Sequence, residues 1–311
     1  MADAKIKMKP QPTARQLFED FSVYAAEVRP GIERSLQQYL PLSPAHINEQ
    51  FNAALRYALF PGGKRLRPML TLLGGEIIGH TDQNILAAST AVEYIHTSSI
   101  ILDDLPCMDN AGKRRARASL HIQYGEGLAI LVAIALLNAS YGLVLHSCHT
   151  NKDKALRAHK EMVECVGAHG MVVGQAIDIA DKQGLKSNIR EEEFESARNL
   201  KTSALIRFAI KLGAILCDAS HAQLATLSNF AELLGSAYQV SDDLLDVEED
   251  HATANGSHNI SSNTEAEKEI ARERVASLLQ TAKDSLIIEF GLTRPTLLLC
   301  QITDFIAVRN C

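Results

Sequence analysis

Closely spaced aspartates form two clusters in this sequence of 311 residues, and the first follows an apolar stretch. It contains Asp103, Asp104 and Asp109, with Pro106 between them. Because proline ends a helix and disfavours helical geometry in the residue before it, we expect an apolar helix to end near Leu105. The carboxylates then lie at the negative end of the helix dipole, where they need a compensating cation.

The second cluster consists of Asp242, Asp243 and Asp246, within another predicted apolar helix. Asp242 and Asp246 are four residues apart, so they share a helix face and repel unless a cation binds between them. One acidic cluster alone is more often a solvated surface. Two clusters, each on a strongly apolar helix, favour a metal site. Carboxylates without His or Cys suit Mg²⁺ and argue against zinc, since Mg²⁺ typically combines one or two carboxylates with substrate phosphates.

Two groups of cations could bind the phosphates of such a substrate. One is in residues 62–68, with Gly62-Gly63 before Lys64, and the other is in residues 113–117, just after the first aspartate cluster. Arginine can bind phosphate through two parallel hydrogen bonds, and lysine acts as a point charge. A basic surface patch for nucleic acid is the alternative for the second group, but the net charge of -6 argues against it. The GxxxxGK[ST] frame of a P-loop is missing.

Helical periodicity dominates the chain and predicts an all-α protein. The predicted helices cover residues 14–39, 46–59, 67–79, 83–105, 124–148, 151–183, 190–217, 219–248, 263–286 and 294–309. Residues 251–264 are polar and are predicted to form a flexible loop. Since no linker divides the sequence, we predict a single domain over residues 1–311.

Cysteine usage and the N-terminal segment both favour a cytoplasmic location. The six cysteines form no CxxC pair, so reduced thiols are expected. Residues 1–16 lack the apolar core of a signal peptide and the Arg/Ser richness of a transit peptide. The most apolar stretch, residues 128–145, contains Asn138, Ser140 and Gly142, and is predicted to be a buried helix and not a membrane span.

Together these motifs resemble the trans-type isoprenyl diphosphate synthases, which include farnesyl and geranylgeranyl diphosphate synthases. The first cluster is similar to their DDxxxxD motif and the second to their DDxxD motif. Residues 63–68 look like their isopentenyl diphosphate loop, and residues 170–178 resemble their GxxxGQxxD segment. The resemblance extends from about residue 51 to residue 252. It implies a large bundle of helices around a central active-site cavity, and usually a homodimer.

The resemblance also implies roles for single residues, each read at the position that matches a family motif. Isopentenyl diphosphate would be bound by Lys64, Arg67, His96 and Arg115, and the allylic diphosphate by Arg114. The catalytic residues would be Lys201, Thr202 and Gln239. Magnesium, with three ions per site when substrate is bound, would be held by Asp103, Asp104, Asp109, Asp242, Asp243 and Asp246.

The implied reaction is a head-to-tail condensation of isopentenyl diphosphate with an allylic diphosphate. The allylic C–O bond ionises, the isopentenyl double bond attacks, and a proton is lost. Negative charge develops on the leaving diphosphate, so the metal ions and nearby cations would stabilise the transition state. The carbocation would need a pocket from which water is excluded.

Product length depends on the helix before the first cluster, because one helical turn is about 5 Å, close to one isoprene unit. Ser98 and Ser99 are small where family members that stop at fifteen carbons carry aromatics. This predicts a twenty-carbon product, with fifteen to twenty-five carbons as the range. Tyr94, one turn deeper, could be the floor of the cavity. Alternatively, Tyr94 packs between helices and the floor lies elsewhere, near residues 130–139 or 160–169.

Some positions depart from the family pattern. Residues 247–264 contain no lysine, where the family usually carries two, and residues 116–118 lack the glycine and proline that follow the arginine pair. An alternative is therefore a diverged non-catalytic or regulatory subunit of a heteromeric prenyl diphosphate synthase. A class I terpene cyclase would share the first motif only, and would have no use for Lys64 and Arg67.

Overall fold

The computed structural model describes residues 14–44, 46–79, 82, 84–183, 191–253 and 265–308. Within these ranges, the side chains of residues 14–20, 181, 191–199, 239, 241–253, 265–268 and 305–308 lie outside the described part. What is described is all-α apart from one small hairpin, which confirms the predicted fold class. The single-domain organisation stays a prediction.

The helices follow one another along the chain, and the hairpin lies between the fourth and the fifth. They are α1 (Ala14–Gln38), α2 (Glu49–Leu59), α3 (Leu66–Glu76), α4 (Ile85–Asp103), α5 (Leu120–Tyr124), α6 (Glu126–Ser147), α7 (Lys152–Val166), α8 (Met171–Lys182), α9 (Glu191–Leu216), α10 (His221–Thr253), α11 (Glu265–Phe290) and α12 (Arg294–Val308). The hairpin pairs β1 (Lys113–Arg114) with β2 (Arg117–Ala118) in antiparallel register.

One predicted helix is divided in two, and two others differ from the structure near one end. The helix predicted over 124–148 begins at Glu126, because Gly125, with a φ of 85° that glycine readily adopts, separates it from the short helix α5. The helix predicted over 151–183 is divided into α7 and α8 between Val166 and Met171. Helix α10 continues to Thr253 and so includes the start of the predicted 251–264 loop, whose remaining residues 254–264 lie outside the described residues.

Helices α3 and α9 are in backbone contact because two glycines lie at their crossing. A Cβ atom on Gly74 would lie 2.1 Å from the carbonyl oxygen of Ile210, and one on Gly213 would lie 1.9 Å from that of Thr71. Helix α3 begins just after the loop that carries Lys64, and α9 carries Lys201. The crossing therefore fixes the distance between two regions predicted to bind substrate.

A buried ion network holds the turn between α2 and α3. Arg65, only 3% exposed and with a φ of 56°, donates hydrogen bonds to Glu33 Oε1 (2.9 Å), Glu93 Oε1 (2.5 Å) and the Leu59 carbonyl (2.7 Å). Burial opposes the arginine charge, but the two carboxylates outweigh it and raise the pKa of Arg65. Removing one partner would leave a buried charge without compensation. The network thus fixes the backbone next to Lys64.

Helix α6 exposes an apolar face. Ile130, Leu131 and Ile134 are 38%, 57% and 55% exposed, so the prediction that residues 128–145 are buried is correct for one side of the helix only. Helices α4 and α6 are both long and apolar enough to cross a membrane by length and composition alone. Core helices of soluble proteins meet the same criterion, and 67% of the apolar window of α4 is buried against 39% for α6.

Candidate active site

The first aspartate cluster lies at the C-terminal end of α4, where Pro106 predicts that the helix ends. Asp103 is the last helical residue and Asp104 follows it as the cap. The backbone N–H of Asp109 donates a hydrogen bond of 2.9 Å to the Asp103 carbonyl, which folds the following loop back against the helix end. One helix end and one loop thus carry all three carboxylates.

Asp103 is a carboxylate with too little positive charge around it. Its side chain is 16% exposed, and burial raises its pKa to about 6, with further increases from Asp109 and Asp104. The ammonium of Lys201, 3.7 Å from Asp103 Oδ2, lowers this pKa only in part. A desolvated carboxylate next to like charges gains from a bound cation, so these oxygen donors fit a divalent metal ion.

Helices α8 and α9 bring two lysines to this cluster. Lys201 Nζ lies 3.2 Å from Asp178 Oδ2 as well as close to Asp103, and Lys182 Nζ lies 2.7 Å from Asp109 Oδ1 and 3.3 Å from Asp178 Oδ2. Burial raises the pKa of Asp178, but both lysines outweigh it, and the net shift is downward. The sequence analysis assigned no role to Lys182, although it lies four residues after Asp178, a spacing that brings two side chains together on a helix.

Helix α8 approaches α9 closely at Gly174. A Cβ atom there would lie 2.4 Å from the backbone nitrogen of Lys201. The next residue, Gln175, points its amide nitrogen at Met108 Sδ (3.9 Å), while its buried Oε1 has no hydrogen-bond partner among the described residues. A buried polar atom without a partner is unusual in a folded protein and is expected where water or ligand binds. Thr202, half-buried, follows Lys201 on α9.

A second, basic region faces the N-terminal end of α3. Arg67 Nη1 lies 3.2 Å from His96 Nε2, and the buried Nε of Arg67 has no partner in the described part of the chain. Burial, and then the charges of Arg67 and Arg115, lower the pKa of His96 well below its usual range, so the imidazole is neutral and accepts this hydrogen bond. Burial also lowers the pKa of Arg67.

The β-hairpin brings two more arginines to the site. Arg115 lies against Gly63, because a Cβ atom on that glycine would be 3.0 Å from the Arg115 Cζ. Exposed Lys64 follows directly. Arg114 donates a hydrogen bond of 2.6 Å from Nε to Asp104 Oδ1. Burial raises the pKa of Asp104 despite this partner. The residues predicted to bind isopentenyl diphosphate are therefore brought together, and Arg114 lies with the aspartates.

The hairpin turn is strained. Residues 115 and 116 form a two-residue connection, and both have positive φ, 84° and 61°. Such turns favour Asn and Gly, whereas Arg115 and Ala116 carry a Cβ. Left-handed geometry costs a residue with a side chain about 1–2 kcal/mol. The resemblance implies glycine and proline after the arginine pair, whereas this chain has Ala116 and Ala118, so other contacts must hold the turn.

The side chains predicted to set product length do not all face the site. Ser98, 2% exposed, donates a hydrogen bond to the Ala133 carbonyl on α6, and Ser99 donates to the His96 carbonyl of its own helix. Tyr94 is fully buried, and its hydroxyl donates a hydrogen bond of 3.0 Å to the Leu36 carbonyl on α1. Tyr94 therefore packs between α4 and α1, as the alternative predicts, and the position of the cavity floor stays a prediction.

The second aspartate cluster lies on α10, but its side chains are outside the described part, as is that of the predicted catalytic glutamine. These are Gln239, Asp242, Asp243 and Asp246. Among the side chains that are described, no group of three or more His, Cys, Asp or Glu residues is placed to hold a metal ion. The full set of magnesium ligands therefore stays a prediction.

Residues 48–259 match the family model described as polyprenyl synthetase. The chain belongs to the polyprenyl synthetase family. This makes it a prenyltransferase, in agreement with the basic region around His96 and the acidic region at the C-terminal end of α4. The match extends over α2 to α10 and therefore includes both aspartate clusters.

Named relatives of this polyprenyl synthetase include plant enzymes. A chloroplastic geranylgeranyl pyrophosphate synthase of Capsicum annuum is 34% identical over 299 residues, which are 94% of this chain and 79% of that protein. Geranylgeranyl pyrophosphate synthase 9 of Arabidopsis thaliana is 37% identical over 73% of this chain, and the match spans 63% of its length. The large subunit 2 of a heterodimeric geranylgeranyl pyrophosphate synthase of the same plant is 36% identical over 73% of this chain and 59% of its own.

Solved structures agree with the fold over nearly the whole chain. An FPP/GFPP synthase from Zymomonas mobilis is 27% identical with a TM-score of 0.78, covering 95% of this chain and 100% of that one. A geranyltransferase from Legionella pneumophila is 28% identical with a TM-score of 0.79, covering 94% and 99%.

Proposed function

We propose that this protein condenses isopentenyl diphosphate with an allylic diphosphate, head to tail, to give geranylgeranyl diphosphate. The observation that carries the proposal is that α4 carries a basic region and an acidic region, to which we assign the diphosphates of the two substrates. His96 lies with the basic group, and Asp103, seven residues later, lies with the acidic group. Seven residues make two turns, or about 10 Å, so one substrate at each region brings the isopentenyl double bond to the allylic carbon.

Magnesium would be held by the carboxylates of the first cluster together with those on α10. When bound, the metal ions withdraw charge from the leaving diphosphate. The protein's own cations act on the same oxygens. Lys201, within reach of Asp103 and Asp178, and Arg114, on Asp104, are held by these carboxylates at the site where the allylic diphosphate ionises. Fixed cations in a desolvated site stabilise developing charge without reorganising.

The isopentenyl side of the site needs no metal ion. Arg67 Nε is buried and available to a phosphate oxygen, and neutral His96 orients the same guanidinium. Since His96 carries no charge, the positive charge on this side comes from Arg67, Arg115 and Lys64. These cations hold isopentenyl diphosphate in place while the allylic substrate ionises. The diphosphate released from the allylic substrate then takes up the proton lost after attack, so the reaction needs no side-chain base.

A product assay tests the function. Protein with Mg²⁺, isopentenyl diphosphate and, in turn, the five-, ten- and fifteen-carbon allylic diphosphates should give a twenty-carbon alcohol after dephosphorylation. A product that stops at fifteen carbons would support the condensation activity but contradict the predicted product length. Turnover of an allylic substrate without isopentenyl diphosphate would indicate a cyclase, and no product from any starter would favour the regulatory-subunit alternative. The lack of lysine in residues 247–264 and the heterodimeric relative support testing that alternative.

We further propose that the protein is a homodimer formed through the apolar face of α6. Ile134→Glu places a charge at the centre of this face, and we expect it to shift the mass measured by light scattering from two chains to one. The matched control is Leu156→Glu on α7, where the side chain is 70% exposed outside this face. Interfaces between two copies of a chain typically have an apolar core that contains few charged residues. An unsubstituted protein that is monomeric, or a dimer that persists in Ile134→Glu, would contradict the proposed dimer.

The cytoplasmic location of the protein stays a prediction.

A further inference from the structure

The β-hairpin carries both arginines that the proposed function assigns to the substrates, yet its turn residues are unfavourable for its geometry. The turn consists of Arg115 and Ala116 at positive φ, and Arg115 must keep this conformation to lie on Gly63. A strained turn persists only when surrounding contacts over-determine it. The contacts that do so should be found on the strands of the hairpin or on the surface beneath them.

Arg117, the first residue of β2, makes these contacts. Its Nη1 donates a hydrogen bond of 2.9 Å to the Phe60 carbonyl and its Nη2 one of 2.8 Å to the Tyr57 carbonyl. The guanidinium lies 3.7 Å from the centre of the Tyr57 ring. The Tyr57 hydroxyl in turn donates a hydrogen bond of 2.9 Å to the Ala118 carbonyl. The side chains of Arg117 and Tyr57 therefore both tie β2 to the end of α2.

These carbonyls belong to the C-terminal end of α2. Tyr57 lies in its last turn and Phe60 is its cap, so their carbonyl oxygens lack helical partners and carry the negative end of the helix dipole. The planar fork of arginine can satisfy two such oxygens and stack on a ring at once. Because the chain continues from Phe60 through Pro61 into the Gly62–Lys64 loop, Arg117 ties the hairpin to the loop that faces Arg115.

We propose that Arg117 is a positioning residue for isopentenyl diphosphate, holding Arg115 in its strained turn over the Gly63–Lys64 loop. The role rests on the proposed function, since it presumes that this diphosphate binds there. Arg117 does not touch substrate: its guanidinium is committed to two carbonyls and a ring. Arg114 has a separate contact with Asp104, so the allylic side depends less on Arg117.

Arg117→Lys tests the role, because lysine keeps the charge but loses the fork and the stacking. Binding of isopentenyl diphosphate is measured by calorimetry without an allylic substrate, so that no turnover occurs. We expect the affinity to fall about tenfold, the change that follows from losing one or two charge-assisted hydrogen bonds. The affinity for geranyl diphosphate with Mg²⁺ should change less than about twofold. Arg56→Lys, an exposed arginine on the same helix α2, is the matched control and should change neither.

The second variant distinguishes positioning from general loss of structure. Ala116→Gly supplies the residue that tolerates positive φ at this turn. In the Arg117→Lys background it should restore most of the isopentenyl diphosphate affinity, and in the unsubstituted protein it should change little. Thermal unfolding of all four proteins confirms that each is folded at the temperature of the titration.

Three results would overturn the proposal. Unchanged isopentenyl diphosphate affinity in Arg117→Lys would show that the turn holds without the clamp. A loss that Ala116→Gly does not restore would show that the turn conformation is not what Arg117 maintains. If the unsubstituted protein binds no isopentenyl diphosphate, the proposed function fails and this role fails with it, whereas the first two results leave the function intact.

Discussion

Replacing Asp103 with asparagine is expected to lower kcat on the order of a thousandfold, the effect of removing one essential electrostatic group from a preorganised site. The same substitution should make the free protein more stable. Both follow from one property: Asp103 is a carboxylate that is 16% exposed and lies beside Asp104 and Asp109, and the charges of Lys201, 3.7 Å away, and Arg114 offset this only in part. Such a carboxylate strengthens cation binding, and it lowers the free energy of unfolding when no cation is bound.

The sign of the stability effect follows from the pKa. Burial raises the pKa of Asp103 from 3.8 to about 6, so the folded protein binds its proton more tightly than the unfolded chain does. The stabilising contribution of the protonated form is complete below about pH 4 and is lost as the pH rises through about 6. At pH 7 the ionised carboxylate costs the fold up to about 3 kcal/mol, at 1.36 kcal/mol per unit. Asparagine, which has no charge at any pH, avoids this cost.

The measurement is thermal unfolding in EDTA at pH 4 to 7.5 for the unsubstituted protein and Asp103→Asn. The difference in midpoint should be largest above pH 6 and should vanish towards pH 4. Asp153→Asn, an exposed carboxylate in the first turn of α7, is the control and should lack this pH dependence. Equal midpoints for the unsubstituted protein and Asp103→Asn across the range would contradict the raised pKa, and retained activity would contradict the proposed role.

Local rules located the first cluster, whereas long-range contacts decided which way other side chains point. Pro106 and the apolar run before it were enough to place Asp103 at a helix end. The side-chain direction of Tyr94 could not be predicted from the sequence. Helix α4 is mostly buried, so no exposed polar face indicates its rotation about the helix axis. Its hydroxyl partner, the Leu36 carbonyl, is 58 residues away in sequence.

The hairpin escaped prediction for a related reason. Two-residue turns are recognised by Asn-Gly or similar pairs, and Arg115-Ala116 gives no such signal. The conformation depends instead on Arg117, whose partners Tyr57 and Phe60 precede it by about sixty residues. These long-range contacts thus override the local conformational preference of the turn residues. A sequence pattern of a few residues does not show such contacts.

The close crossing of α3 and α9 could not be predicted from the sequence either, and it leads to the largest expected loss of stability. Gly213→Ala puts a Cβ atom 1.9 Å from the Thr71 carbonyl oxygen, which belongs to helix backbone and does not move aside easily. Overpacking costs about 3 kcal/mol, and the better helix propensity of alanine returns about 1 kcal/mol. We therefore expect a net loss of about 2 kcal/mol, seen as a fall of about 3 °C in the unfolding midpoint of a chain of this length.

The same substitution should reduce kcat/KM by about a hundredfold, because a displacement of 1 Å between reacting groups is enough for such a loss. Arg67 is near the start of α3 and Lys201 is on α9, so separating the helices moves one substrate region relative to the other. The control is Gly31→Ala in α1, where the nearest atom, Leu86 Cδ2, would be 3.7 Å away. There alanine should raise stability by about 0.5–1 kcal/mol and leave kcat/KM unchanged. If both glycines respond alike, contact between α3 and α9 is not what sets the spacing of the two diphosphate regions.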